Sequence, residues 1–334
     1  MAIYLTRRNT LRFIGGSMLA GPARAIAQSP AKIRLIGVLI GGYTSTDAEG
    51  QTYFNAFLKT LSALGWDVGR NVRVEARWMG NDDERLKTYV SELVGMAPDV
   101  IFCASTPVAI EFSRATRSIP IVFVQVADPI SVGLVSSLAR PAANITGFSL
   151  YEPSIGSKWL AMLKQIAPRV SRVAFVLLPE IASYVEMVRD AETAAPSLGM
   201  SVIAIGVHDP QEIERGISDF AVNADGGLIV CPSAVTNSNH RLIADLAVRY
   251  GLPGLYPYRY YVSAGGLASY GPRLIDEYQR GATYVDRVLK GEKPGDLPIQ
   301  LPIKFELVIN VKAAKALQLT IPPMLLATAD EVIQ

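Results

Sequence analysis

Pro98-Asp99-Val100-Ile101-Phe102-Cys103-Ala104-Ser105 and, later, Gly226-Gly227-Leu228-Ile229-Val230-Cys231-Pro232-Ser233 are the two phrases from which the fold is read. Each is a short apolar run that ends in cysteine and breaks into small polar residues ahead of a helical pattern. A short, unbroken apolar run of this kind suits a strand covered on both faces, as in a parallel sheet flanked by helices. The phrase occurs twice, so it predicts two similarly built lobes.

Working outward from the first phrase, Ile33–Ile40, Val72–Trp78, Asp99–Cys103 and Ile119–Val124 read as strands, separated by helical segments at Gln51–Leu64, Asp82–Gly95 and Val108–Arg117. A second set begins near Tyr151, with helices at Gly156–Ile166, Ser183–Leu198, Gln211–Val222 and Asn239–Tyr250 and strands at Arg172–Leu177, Ser201–Gly206 and Gly227–Val230. Beyond Tyr250 the order is mixed: strand Gly266–Tyr270, long helix Leu274–Lys290, strand Phe305–Asn310 and helix Val311–Leu317. The alternation predicts an α/β protein of two Rossmann-like three-layer lobes with parallel sheets, joined by a hinge of several strands. The expected division is residues 31–149 plus 263–295 for the first lobe and 150–262 plus 296–334 for the second. A length of 334 residues suits two domains.

The N-terminus stands apart. Arg7 and Arg8 precede Leu11, Arg12 and the apolar run Phe13–Ala23, and Ala25-Ile26-Ala27 has the small-x-small form of a cleavage site. This is the order of an export signal over residues 1–27, twin-arginine-like, cut after Ala27. Gly15, Gly16, Gly21 and Pro22 interrupt a run that is too short to span a bilayer. Removal takes four of the 32 basic residues and none of the 30 acidic ones, turning a formal charge of +2 into −2. The expected destination is the periplasm, and no cysteine follows the signal to carry a lipid. The mature chain shows no membrane-spanning run and no basic excess for nucleic acid.

Ligands of open parallel sheets bind beyond the carboxyl ends of the strands, where helix N-termini point their free N–H groups. Ser105-Thr106-Pro107, Asp128-Pro129, Pro179-Glu180 and Pro232-Ser233 all stand at such ends and make a shared cleft. Ser105 and Thr106 offer donors for a carboxylate. Asp128 either caps its own turn or pairs with an ammonium group. Among the aromatics, Tyr258 and Tyr270 lie in or near the run Leu255–Tyr261, and Tyr151 lies at an expected crossing between lobes, so these three are candidates for the cleft wall. No catalytic constellation accompanies them: there is no G-x-S-x-G elbow, G-x-G-x-x-G or P-loop. His208 and His240 fall in no metal-ligand spacing and read as surface or capping residues; Cys103 and Cys231 read as small buried residues, not a disulfide. The residues predict reversible binding without chemistry, with no cofactor and no metal. The competing readings are a periplasmic sensory module and an exported α/β enzyme.

Several longer segments resemble one family. They are Ile119–Pro129, Gly133–Pro141 with Asn144–Gly147, Ala264–Gly271, Leu297–Asn310, and Ala314–Pro323 with Leu326–Val332. The whole mature chain is similar to the substrate-binding proteins of ABC transporters that include tryptophan- and tyrosine-binding members, with the fold of type I periplasmic binding proteins. The resemblance implies a monomeric receptor that closes on a small molecule, an aromatic or apolar amino acid, and works with a separate permease and ATPase. It maps Ser105, Thr106, Asp128, Tyr258 and Tyr270 onto cleft loops. Leu177-Leu178-Pro179-Glu180 departs from the Asn-Pro-rich loop of many relatives.

Overall fold

The computed structural model describes residues 33–80, 82–151 and 154–334; the leader expected over residues 1–27 and its cleavage site lie outside them. The first lobe starts with β1 (Arg34–Gly41), α1 (Ala48–Ala63), β2 (Val72–Gly80), α2 (Asp83–Gly95), β3 (Val100–Ala104), α3 (Thr106–Ala115), β4 (Ile121–Val126) and β5 (Ile145–Ser149). They form a five-stranded parallel sheet in the order β2-β1-β3-β4-β5. Successive strand residues face opposite sides. Ile36, Val38 and Ile40 therefore enter one core with Phe57 and Phe102, whose rings stack at 4.1 Å, while Leu39 enters the other with Ile101, Cys103 and Phe112.

The second lobe continues with α4 (Ile155–Ile166), β6 (Arg172–Leu177), α5 (Ala182–Ala194), β7 (Ser201–Gly206), α6 (Pro210–Ala221), β8 (Gly226–Val230), α7 (Ala234–Ser238), α8 (His240–Arg249), β9 (Gly254–Tyr256), α9 (Arg259–Ser263) and β10 (Ala268–Pro272). Then come α10 (Leu274–Leu289), β11 (Phe305–Asn310), α11 (Val311–Ala316), α12 (Pro323–Thr328) and β12 (Glu331–Ile333). The second sheet has seven strands in the order β12-β11-β10-β9-β8-β6-β7. Its parallel part, β7-β6-β8-β9-β10, repeats the order of the first sheet, and β11 is added antiparallel to β10. The two sequence phrases are therefore the third strands of two copies of one plan, β3 and β8.

Strand β5 lies in a stretch whose sequence pattern gave no strand. Gly147 interrupts its apolar run, and the reason for glycine is packing: a Cβ there would drive into the Phe123 carbonyl oxygen of β4, on a backbone with φ of 156°. Strand β9, three residues long, is too short for any period to register.

The chain crosses between lobes after β5, after β10 and before β11. Strand β10 pairs with β9 and β11, so residues 263–272 belong to the second lobe, and the return to the first starts at α10. Helix α10 packs on α1 and β4. Leu297 and Ile299 are buried in first-lobe cores, so that return also lasts past residue 296. The sequence reading sets 263–295 in the first lobe and 296–334 in the second, whereas the pairing of β10 joins it to the second sheet and the burial of Leu297 and Ile299 joins them to the first. Hydrogen bonds knit the crossings: Ser149 N–H donates to the Gln300 carbonyl (2.9 Å), Thr146 Oγ1 to the Leu297 carbonyl (2.7 Å) and Trp159 Nε1 to the Tyr270 carbonyl (2.8 Å). Among the described residues no helix is long and apolar enough to cross a membrane.

Candidate functional site

The carboxyl ends of both parallel sheets open on one cavity of about 190 Å³. The first lobe contributes Gly41–Tyr43 after β1, Ser105–Pro107 after β3, and Gln125 at the end of β4. The second contributes Leu178 and Ile181 after β6, Tyr184 from α5, His208 after β7, Pro232–Val235 and Asn237 around the start of α7, and Tyr258 after β9. Leu150, at the first crossing, also lines the cavity. Among the described residues no Asp, Glu, Lys or Arg lines this wall.

Ser105 occupies the N-cap position of α3 with φ of 99°, yet its hydroxyl makes no capping bond. Its Oγ is buried without a hydrogen-bond partner. An orphan hydroxyl of this kind is costly unless something else satisfies it. Thr106 Oγ1 accepts from Ala127 N–H at 3.2 Å, which ties the β3 and β4 turns together. In the second lobe Ser233 caps α7 conventionally: its Oγ accepts from Thr236 N–H at 3.1 Å, and Thr236 Oγ1 accepts from Ser233 N–H at 2.8 Å.

Tyr184 donates its hydroxyl to the Pro232 carbonyl. The Tyr43 hydroxyl is buried without ordinary hydrogen-bond geometry, although Tyr260 and Gln125 stand close enough to favour its ionised form slightly. Burial pushes the phenols of Tyr43, Tyr184 and Tyr258 well up, so all three remain neutral.

His208 sits at the rim between two carboxylates, with Nε2 at 2.8 Å from Glu180 and Nδ1 at 2.8 Å from Glu212. Glu180 first and Glu212 second hold its imidazole above the usual range. Half-exposed, this trio contributes little stability.

Four residues singled out in the sequence line the cavity: Ser105, Thr106, Ser233 and Tyr258. The other five do not. Asp128 Oδ1 accepts from Ile130 N–H (3.2 Å) and Ser131 N–H (3.3 Å), so of its two possible roles the structure gives it the cap. Tyr151 packs edge-on against Trp159, with centroids 5.2 Å apart, and borders a separate groove with Lys158 and Phe305. Tyr270 stacks on Phe305 at 5.3 Å. Pro179 faces Gly206, and Glu180 reaches the cavity only through His208.

Beyond Pro107 and Pro232, which belong to the strand-end motifs, the sequence reading does not reach the remaining wall. The pair Gly41-Gly42 at the end of β1 and a glutamine inside the apolar run Ile121–Val126 were signals that could have found it. His208, which the sequence suggests as a surface or capping residue, is a rim residue. Cys103 and Cys231 are free and buried, and burial pushes both thiols up. Among the described residues no group of His, Cys, Asp and Glu is placed to hold a metal ion.

Known proteins share this architecture. The chain is 29% identical over 268 residues, 79% of its length and 75% of the relative's, to the tyrosine-binding protein of Clostridioides difficile (strain R20291). Among solved structures it superposes with a TM-score of 0.83 on a conserved domain protein from Vibrio cholerae, at 26% identity over 90% of this chain and all (100%) of that one. It also superposes with a TM-score of 0.82 on an ABC domain in complex with L-Trp from Streptococcus pneumonia, at 24% identity over 90% of this chain and 99% of that one. The fold is that of type I periplasmic binding proteins. Residues 43–333 match the family described as ABC transporter substrate binding protein, and the chain belongs to that non-enzymatic family of solute-binding components.

Proposed function

We propose that this protein captures an aromatic or apolar amino acid in the interlobe cavity, in the periplasm, and presents the closed complex as a monomer to an ABC permease and its ATPase. The observation that carries the reading is the composition of the wall. Leu150, Leu178, Ile181 and Val235 offer apolar surface, Tyr184 and Tyr258 offer ring faces, and apart from His208 at the rim the few polar groups are neutral donors and acceptors. A ligand with a charged side chain would be desolvated there without a counter-charge. An apolar or aromatic side chain would not. Ser105 Oγ and the free N–H groups at the start of α3 suit the carboxylate, and the Asn237 amide suits the ammonium. A tyrosine-binding relative and the L-Trp complex of a protein of the same fold support the ligand class.

Because both lobes supply the wall, a ligand touching both favours the closed state through contacts that only closure completes. L-Tyrosine or L-tryptophan at about 100 times its Kd should stabilise the protein by about 2.7 kcal/mol. That raises Tm by about 4 °C or more for a chain of this size, measured by scanning calorimetry. Unchanged melts with tyrosine, tryptophan, phenylalanine and leucine would remove the amino-acid reading. Ser105→Ala should weaken the binding of whichever amino acid stabilises the protein by about tenfold, the value of one hydrogen bond to a charged group. Isothermal titration checks this, and equal affinities would mean that Ser105 does not touch the ligand.

A further inference from the structure

Gln125 reaches the cavity wall from a backbone that few residues adopt. Its φ is 57°, in the left-handed region that non-glycine residues avoid. The pairing of β4 with β5 slips between Phe123 and Val126, so Gln125 forms a bulge at the end of the strand. The Gln125 N–H donates instead to Glu277 Oε2, at 3.0 Å and from 152 residues along the chain.

Glu277 lies in the first turn of α10, on the segment that the second crossing carries back into the first lobe, and is 2% exposed. Its other oxygen, Oε1, is buried without a hydrogen-bond partner. A buried carboxyl held by one backbone donor is a costly way to fill space that an apolar side chain would fill as well. What the carboxyl adds is an acceptor for the bulge.

We infer that Glu277 is a positioning residue for ligand capture, holding the Gln125 bulge in the conformation that turns this residue to the cavity. The inference rests on the reading of this cavity as the ligand site. Arg280 and Asp276 from its own helix act on Glu277 electrostatically, and Glu277 in turn helps to raise the phenols of Tyr278 on that helix and of Tyr151 and Tyr258 across the crossing. Arg273 and Lys304 border the groove behind it. Burial outweighs the Gln125 N–H and Arg280 and pushes the carboxyl up to about 8. At neutral pH it is therefore chiefly a neutral acceptor, which glutamine can imitate.

The test compares Glu277→Leu, which keeps the volume and removes the acceptor, with Glu277→Gln, which keeps an acceptor. In Glu277→Leu the Gln125 amide should exchange with solvent about 100-fold faster relative to Val122 and Val124, as a bulge that opens locally. The Kd for L-tyrosine or L-tryptophan, whichever the wild type binds, should rise about tenfold. Glu277→Gln should restore both, whatever either variant does to Tm. Unchanged exchange and affinity in Glu277→Leu would overturn the assignment, as would equal losses in both variants that track Tm. One measurement needs neither a variant nor a ligand: in the wild type, the Gln125 amide resonance should move with pH at the same midpoint as the Glu277 side-chain carboxyl carbon. Independent behaviour of the two signals overturns the inference. Coupled signals in a protein that binds neither amino acid would leave the Glu277–Gln125 contact standing and the amino-acid reading refuted.

Discussion

Alanine at position 271 is expected to destabilise the protein by about 3 kcal/mol, at the upper end for overfilling a packed site. Gly271 lies in β10, opposite Glu306 of β11, just before the chain leaves for α10. A Cβ at this position would run into the Pro257 carbonyl oxygen, well inside the 3.0 Å that real contacts keep, and would approach the Tyr151 hydroxyl at 3.2 Å. The obstruction is backbone on the neighbouring segment, which cannot rotate aside as a flexible side chain would. Relief requires β10 to move away from Pro257, and that segment leads directly to the cavity residue Tyr258. Gly95 supplies the contrast. It ends α2 with nothing near its absent Cβ, so Gly95→Ala should be neutral or stabilising by about 0.5–1 kcal/mol. Urea unfolding of the two variants beside the wild type checks the pair; Gly271→Ala with an unchanged midpoint would mean that β10 and Pro257 are not packed as described.

The second large effect is a pH dependence from Glu277. Its carboxyl titrates at about 8 in the folded protein, chiefly through burial, against an ordinary value of 4.5. Between those values the unfolded chain has released this proton and the folded chain has kept it. Unfolding then releases a proton, so this group lowers stability as pH rises through the window, and its contribution levels off above about 8. One pKa unit is worth about 1.4 kcal/mol, so the whole loss is on the order of 5 kcal/mol. Glu277→Gln removes the ionisation. The stability difference between the variant and the wild type should grow in the variant's favour from pH 4.5 to pH 8 and then stay constant, read from denaturant unfolding at intervals of pH. A difference that does not change with pH would show that the Glu277 carboxyl is not desolvated.

Much of this architecture was legible because the strands are covered on both faces. Burial of Val100–Ala104 and Gly226–Val230 on each side demands apolar runs, and the break after each run marks the strand end where the cavity opens. Ser105 and Ser233 were found for that reason. Asp128 was ambiguous because a carboxylate after a strand serves its own turn as readily as a ligand, and only the bonds from Ile130 and Ser131 decide between them. Tyr151 and Tyr270 sit at the crossings, as expected of hinge residues, but turn toward Trp159 and Phe305, a direction that no periodicity in the sequence encodes. The link between Gln125 and Glu277 was out of reach. Their pairing depends on a bulge at one strand end and on the return of a helix from the other lobe, and neither leaves a local pattern.

The repeated strand order has an evolutionary consequence. Each copy of the plan has its own interior, and each presents a serine-bearing turn after its third strand to the same cavity. The cavity wall thus rests on two independent foundations. Substitutions at Leu178, Ile181 and Tyr184 can reshape one side of the cavity without rebuilding the other.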